Sequence, residues 1–121
     1  MEPKIHRAIE SDEFYTEERC HILELSNSEA DPGLSIARVR VESGVATALH
    51  RIAATAERYV ILSGSGRIEI EGLEPEDVAP NDVIVVPAGA TQKIANTGDS
   101  DLVCLCICTP RFAQEHYEHL E

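Results

Sequence analysis

The sequence predicts an all-β fold, an antiparallel sandwich or barrel of short strands. Three observations lead there. Apolar and polar residues alternate with period 2 over many short segments, Gly, Pro, Asn and Asp punctuate those segments at a regular cadence, and almost no stretch has helical periodicity. The low aromatic content, 4%, fits an interior filled by Val, Ile, Leu and Ala.

The first strand is expected over residues 20 to 26 (CHILELS), with His21, Leu23 and Leu25 on one face. Residues 35 to 42 (SIARVRVE) set Ala37, Val39 and Val41 opposite Arg38 and Arg40, and the stretch from Asn27 to Gly33, rich in Ser, Asp, Pro and Gly, joins the two. Further strands are expected at about 47 to 52, 57 to 63, 67 to 71, 83 to 86, 91 to 95 and 102 to 108. Ser63-Gly64-Ser65-Gly66 reads as a hairpin turn, because glycines supply the positive φ that primed turns need, and Asn96-Thr97-Gly98-Asp99 reads as a second. Pro80-Asn81-Asp82 and Pro87-Ala88-Gly89 bracket the strand between them. After Pro110, Phe112, His116 and Tyr117 fall at helical spacing, which predicts a short C-terminal helix.

The chain of 121 residues is expected to be one domain, residues 1–121, with no linker or internal repeat. It has 43% hydrophobic residues and no apolar run near the ~20 residues of a membrane span. The charged start, MEPKIHRAIESDEF, lacks the apolar core of a secretory signal, so a cytoplasmic location is expected. A net charge of −12 argues against nucleic acid and anionic membranes as partners. The acids are scattered, as on a solvated surface. Of the four cysteines, Cys104, Cys106 and Cys108 alternate along one strand, where neighbours two apart sit ~6.5 Å from each other and too parallel for a disulfide. With Cys20 they read as reduced core thiols.

Two segments carry a motif. In residues 44 to 64 (GVATALHRIAATAERYVILSG) a Gly, a His, a Glu and a second Gly fall at 44, 50, 57 and 64. In residues 81 to 96 (NDVIVVPAGATQKIAN) Pro87, Gly89, Gln92 and Asn96 follow Asn81. This spacing resembles the two-part pattern of the cupin family, with Ile52 in place of its second His, Asn81 in place of a Gly, and Gln92 in place of its last His. The resemblance implies a double-stranded β-helix, a jelly-roll-like barrel, and a homodimer that covers outer-face residues such as Val60 and Leu62. In the family, two histidines, the Glu and the last His hold a divalent metal. Here that leaves His50 and Glu57, with Gln92 as a weaker oxygen donor, a set suited to a loosely held ion such as Zn, Fe, Mn or Ni.

Period 2 then orients the pocket. If His50 points inward, so do Ala48 and Ile52; Glu57 brings Tyr59 and Ile61, and Gln92 brings Ile94 and Asn96. The expected ligand pocket is His50, Glu57, Tyr59, Gln92 and Asn96 in a mostly apolar wall, the composition of a small-molecule site. A metal-free hydrogen-bonded trio, with Gln92 donating to Glu57 and accepting from His50, satisfies the same residues. Arg58 should point away. Arg38 and Arg40 are expected on the exterior, and would suit an anionic ligand if their face turned inward. An inward-facing Cys104, Cys106 or Cys108 would add a thiolate to His50 and Glu57, as ligand or as nucleophile. The leading functional expectation is a cupin that binds a small molecule, with a weakly held metal. The alternatives are a metal-dependent isomerase, dioxygenase, lyase or cyclase using His50, Glu57 and Gln92, and a metal-free epimerase-like enzyme using His50 and Tyr59.

Overall fold

The computed structural model of the protein describes all of residues 1–121. Its strands are β1 (Phe14–Tyr15), β2 (His21–Ser26), β3 (Ser35–Val41), β4 (His50–Ile52), β5 (Ala56–Ser63), β6 (Gly66–Ile70), β7 (Leu73–Val78), β8 (Val83–Val86), β9 (Gln92–Asn96), β10 (Leu102–Thr109) and β11 (Tyr117–His119). They form two antiparallel sheets, a six-stranded one ordered β1-β2-β3-β10-β5-β8 and a five-stranded one ordered β11-β4-β9-β6-β7. The inward faces close on one another as a double-stranded β-helix.

Alternation decides what lies between the sheets. Along β10, Leu102, Cys104, Cys106 and Cys108 are buried while their neighbours are half-exposed, and along β5, Glu57, Tyr59 and Ile61 are buried in the same way. One end of the barrel is packed hydrocarbon around Val41, Ile61, Ile68 and Leu102. At the other end Glu57 and Gln92 replace hydrocarbon.

Several expectations are corrected. Residues 111–121 form no α-helix: a single 3-10 turn, Gln114–His116, leads into β11, which pairs with β4 through Tyr117↔Ile52 and His119↔His50. Pairing with an otherwise open edge outweighs the weak helical spacing of three residues. Ser63 to Gly66 is a corner rather than a hairpin, because β5 and β6 lie in different sheets. Gly64 has φ +85°, and a Cβ there would stand 2.6 Å from the Asp101 carbonyl oxygen. Asn96 to Asp99 is likewise a crossing between sheets. Strand β7, with Pro75 and four acidic residues nearby in sequence, carries no alternation, and it lies at a sheet edge, where a missing ladder bond is tolerated. Asn81, in the family's Gly position, adopts φ +77°, a conformation that Asn tolerates better than most residues.

On β2 the inward residues are Ile22 and Glu24, flanked by Cys20, while Leu23 is buried on the outer side. Arg38 and Arg40 also lie outside, where they grip the N-terminal segment: Arg38 reaches both Glu10 oxygens at 2.7 Å, and Glu13 bridges Arg38 (3.0 Å) and Arg40 (2.6 Å). Arg40 also reaches Asp101 at 3.2 Å. Hydrogen bonds from Arg40 and Arg38 hold the Glu13 carboxyl down to about 2. The register aligns Leu105, Val60 and Val83 across this outer face, beside Val85 and Leu62, with Leu62, Val83 and Val85 48%, 57% and 60% exposed.

Candidate functional site

The polar end of the barrel holds a cavity of about 180 Å³. His50, Glu57, Tyr59 and Gln92 all line it and all are buried. Asn96, expected beside them, does not: it sits beyond Ile94, donating to the carbonyls of Val41 and Ser100 (both 2.8 Å) and accepting from the Gly98 amide (2.9 Å), so it fastens the crossing to β10. Its position in the motif is explained by the backbone.

Glu57 is the hub of the inner wall. One carboxylate oxygen accepts from the Gln92 amide nitrogen, and the other accepts from the Tyr59 hydroxyl (3.2 Å) and the Cys106 thiol (3.0 Å). Three protein donors therefore satisfy a carboxylate that is only 3% exposed. Arg58 points away and donates to the Thr109 hydroxyl.

His50 forms no hydrogen bond with this group. Its Nδ1 lies 2.8 Å from the Ala48 carbonyl oxygen, which can only accept, so Nδ1 carries the hydrogen and Nε2 is the acceptor of the neutral ring. Nε2 stands 3.7 Å from a Glu18 carboxylate oxygen. Tyr117 stacks on the imidazole with centroids 5.6 Å apart and planes at 27°. Glu18 and Tyr117 are functional candidates that the sequence reading missed. Glu18 sits in the turn before β2, fixed by its own carbonyl accepting from the Ala48 amide (3.0 Å), and no periodicity marks a turn residue. For Tyr117 the one available signal was the two-residue alternation Tyr117, Glu118, His119.

Burial raises the Glu18 carboxyl above its ordinary value, against the pull that His50 exerts when protonated; Glu57's charge adds to the rise and a hydrogen bond from Tyr117 opposes it. Burial also lifts Tyr59 well above its usual range. The cysteines are reduced, and Cys104, Cys106 and Cys108 all face inward. Burial pushes Cys20 and Cys104 up to about 12, and Cys106 rises through its contact with Cys108, burial and the Glu57 charge. Cys20, Cys104 and Cys106 are thereby held as thiols, not activated nucleophiles.

The side chains turn toward one another more than strand spacing alone suggests. Cys106 and Cys108 bring their sulfurs to 4.0 Å, and Glu57, Cys106 and Cys108 are the one set of three His, Cys or carboxylate groups whose ligand atoms lie mutually within 4.8 Å.

Residues 37–108 match the family model described as Cupin domain. The chain belongs to the cupin family. It is 34% identical over 87 residues to the uncharacterized protein MJ1618 of Methanocaldococcus jannaschii, covering 72% of this chain and 69% of that one. Among solved structures, this cupin resembles KdgF from Halomonas (TM-score 0.75, 18% identity, 90% of this chain and 96% of that one) and a Streptomyces Pac13 variant with uridine (TM-score 0.81, 17% identity, 99% and 92%). At those identities the likeness is one of fold.

The family's metal-binding positions fall on His50, Ile52, Glu57 and Gln92, and these residues do not fit a metal. Ile52 offers hydrocarbon, Gln92 turns an N–H toward Glu57, and His50 Nε2 faces Glu18 instead.

Proposed function

We propose that this cupin binds a small organic molecule in the polar end of the barrel, without a tightly held metal. The observation that carries the reading is the hydrogen bonding of Glu57: its two oxygens accept three protein donors, so the inner wall is satisfied as a hydrogen-bonded surface facing a cavity. A volume of about 180 Å³ is below the roughly 300–1,000 Å³ of drug-sized sites, which restricts the ligand to a compact molecule. The Streptomyces neighbour that holds uridine illustrates that the same barrel accepts organic ligands.

A second reading is favoured by the Glu18–His50 geometry. A carboxyl raised by burial and an imidazole acceptor lie side by side, 3.7 Å apart, in the cavity wall, an arrangement suited to metal-free acid–base turnover of the bound molecule. In that reading Glu18, rather than Tyr59, partners His50, since Tyr59 is spent on Glu57.

A homodimer in the cytoplasm completes the proposal. The exposed Leu62, Val83 and Val85 on one sheet face support the dimer, and four free cysteines support a reducing compartment.

Metal analysis of protein purified without chelators, beside His50→Ala and Gln92→Ala variants, tests the reading. We expect well under one equivalent of metal in all three proteins. Near-stoichiometric metal that disappears in both variants would replace this reading with a metal-dependent one built on His50, Glu57 and Gln92.

A further inference from the structure

The charges around the cavity do not balance within the protein. Glu18 and Glu57 lie inside, and Glu17 and Glu24 stand at the mouth. Lys93 is the one Lys or Arg in the lining, and it is paired with Glu69 at 3.4 Å. Elsewhere Arg19, Arg38, Arg40, Arg51 and Arg67 are all bound to carboxylates outside the cavity.

A second and independent observation is His50. The residue is 3% exposed, its Nδ1 is committed to Ala48, and its Nε2 has no hydrogen-bond partner; the nearest carboxylate oxygen, at 3.7 Å, is outside hydrogen-bonding range. This acceptor is not sealed in the core but opens on the cavity, where it is available to a group that donates to it. The Glu18 carboxylate oxygen and His50 Nε2 that face each other here both accept; Glu18 takes only a long contact from the Cys20 thiol (4.0 Å) and a hydrogen bond from the Tyr117 hydroxyl. Of the inner donors, the Tyr59 hydroxyl and one N–H of Gln92 are given to Glu57. What is missing is a group with at least two hydrogens to donate and a positive charge. The Tyr117 ring stacked on His50, with Phe112 and Ile22 nearby, offers an apolar surface for the rest of the molecule.

We propose that the barrel takes a small primary or secondary amine, whose N–H groups bridge the Glu18 carboxylate and His50 Nε2 while its apolar part lies against Tyr117 and Phe112. This deepens the small-molecule reading and rests on it. A bare metal ion fits less well, because Glu18, His50 and Glu57 do not bring their ligand atoms within 4.8 Å of one another. A benzene-sized body is within reach, since an apolar cavity of ~150 Å³ is known to hold benzene.

The test uses two matched sets of probes on the purified protein: benzylamine, benzyl alcohol and benzoate, and n-butylamine, n-butanol and butyrate. Thermal unfolding and titration calorimetry at constant ionic strength read the binding. We expect an amine to bind about tenfold or more tightly than its alcohol, and the carboxylates not to bind. Glu18→Gln, which keeps the shape, should reduce the amine affinity by about the same factor, with Glu76→Gln on the exposed edge strand β7, outside the cavity, changing it little. Should Glu18→Gln fail to fold, the amine-to-alcohol ratio in the wild type is decisive by itself. Equal binding of alcohol and amine, or preferential binding of a carboxylate, would overturn the amine while leaving the small-molecule reading standing. Silence with all six probes also overturns the amine, and the metal analysis then decides the underlying reading.

Discussion

Glu13 and Glu18 belong to the same stretch of chain and are equally shielded, with side chains 15% and 16% exposed, yet their surroundings are opposite. Glu13, outside the barrel, lies between Arg38 and Arg40 and is held down to about 2. Glu18, facing the cavity, has no basic group but an imidazole within 4 Å and is raised by burial. Shielding a carboxylate is costly unless a cation or several donors offset it. The fold supplies cations to the first carboxylate and withholds them from the second. One is a fastener for the N-terminal segment, and the other marks a place where the compensating charge comes from elsewhere. Glu57 is a third case, with no cation beside it but held by three hydrogen bonds.

The largest expected effect separates Glu57 from Glu18. Glu57→Ala strands the donors of Gln92, Tyr59 and Cys106, and denaturant unfolding should show a loss of about 3 kcal/mol. Glu13→Ala removes the acceptor shared by two half-buried arginines and should cost about 1–2 kcal/mol, more than an isolated surface pair because the contacts are multiple. Glu18→Gln should go the other way, with stability at neutral pH unchanged or raised by up to about 1 kcal/mol. A decrease like that of Glu57→Ala would mean that Glu18 is a structural residue. The smallest effect belongs to the rim: breaking the exposed Arg19–Glu121 pair with Arg19→Ala should leave the denaturant midpoint unchanged within error.

The pH dependence of stability sharpens the same contrast. Glu13 titrates lower in the folded protein than unfolded, so its contribution is present above about 4.5 and is lost as pH falls toward about 2. Glu18 titrates higher when folded, so the folded state holds the proton more tightly, and its ionisation erodes stability as pH rises above 4.5. Unfolding measured from pH 2 to 8 should lose its acid limb in part with Glu13→Gln, and its decline on the alkaline side of 4.5 should flatten with Glu18→Gln. Identical profiles for the two variants would dissolve the distinction.

How much of this was legible in the sequence follows from the range of the interactions. Alternation gave the inward direction of His50, Glu57, Tyr59 and Gln92, because a strand's faces are fixed by its neighbours along the chain. The motif spacing located the corners of the barrel, and Asn81 at positive φ explains why a non-Gly residue was no obstacle there. The roles of those corners were misread, since Gly64 and Gly98 serve equally well in a hairpin or in a crossing between sheets, and only long-range pairing tells the two apart. The same limit hid Glu18 and the strand bearing Tyr117, which acquire their places from partners distant in sequence: Ala48 for Glu18, Ile52 for Tyr117. Strand β7 was hidden for another reason: it pairs locally with β6, but its exposed acidic residues and Pro75 carry no alternation.

A crystal structure of the protein soaked with benzylamine, alongside the same crystals soaked with benzyl alcohol, tests most directly whether the interior carboxylate awaits a cation. The account predicts an amine nitrogen about 2.7–3.2 Å from both the Glu18 carboxylate and His50 Nε2, with the ring against Tyr117. Its contradiction would be a cavity in which the amine is absent or lies with its nitrogen turned away from Glu18, or one in which the alcohol occupies that position just as well.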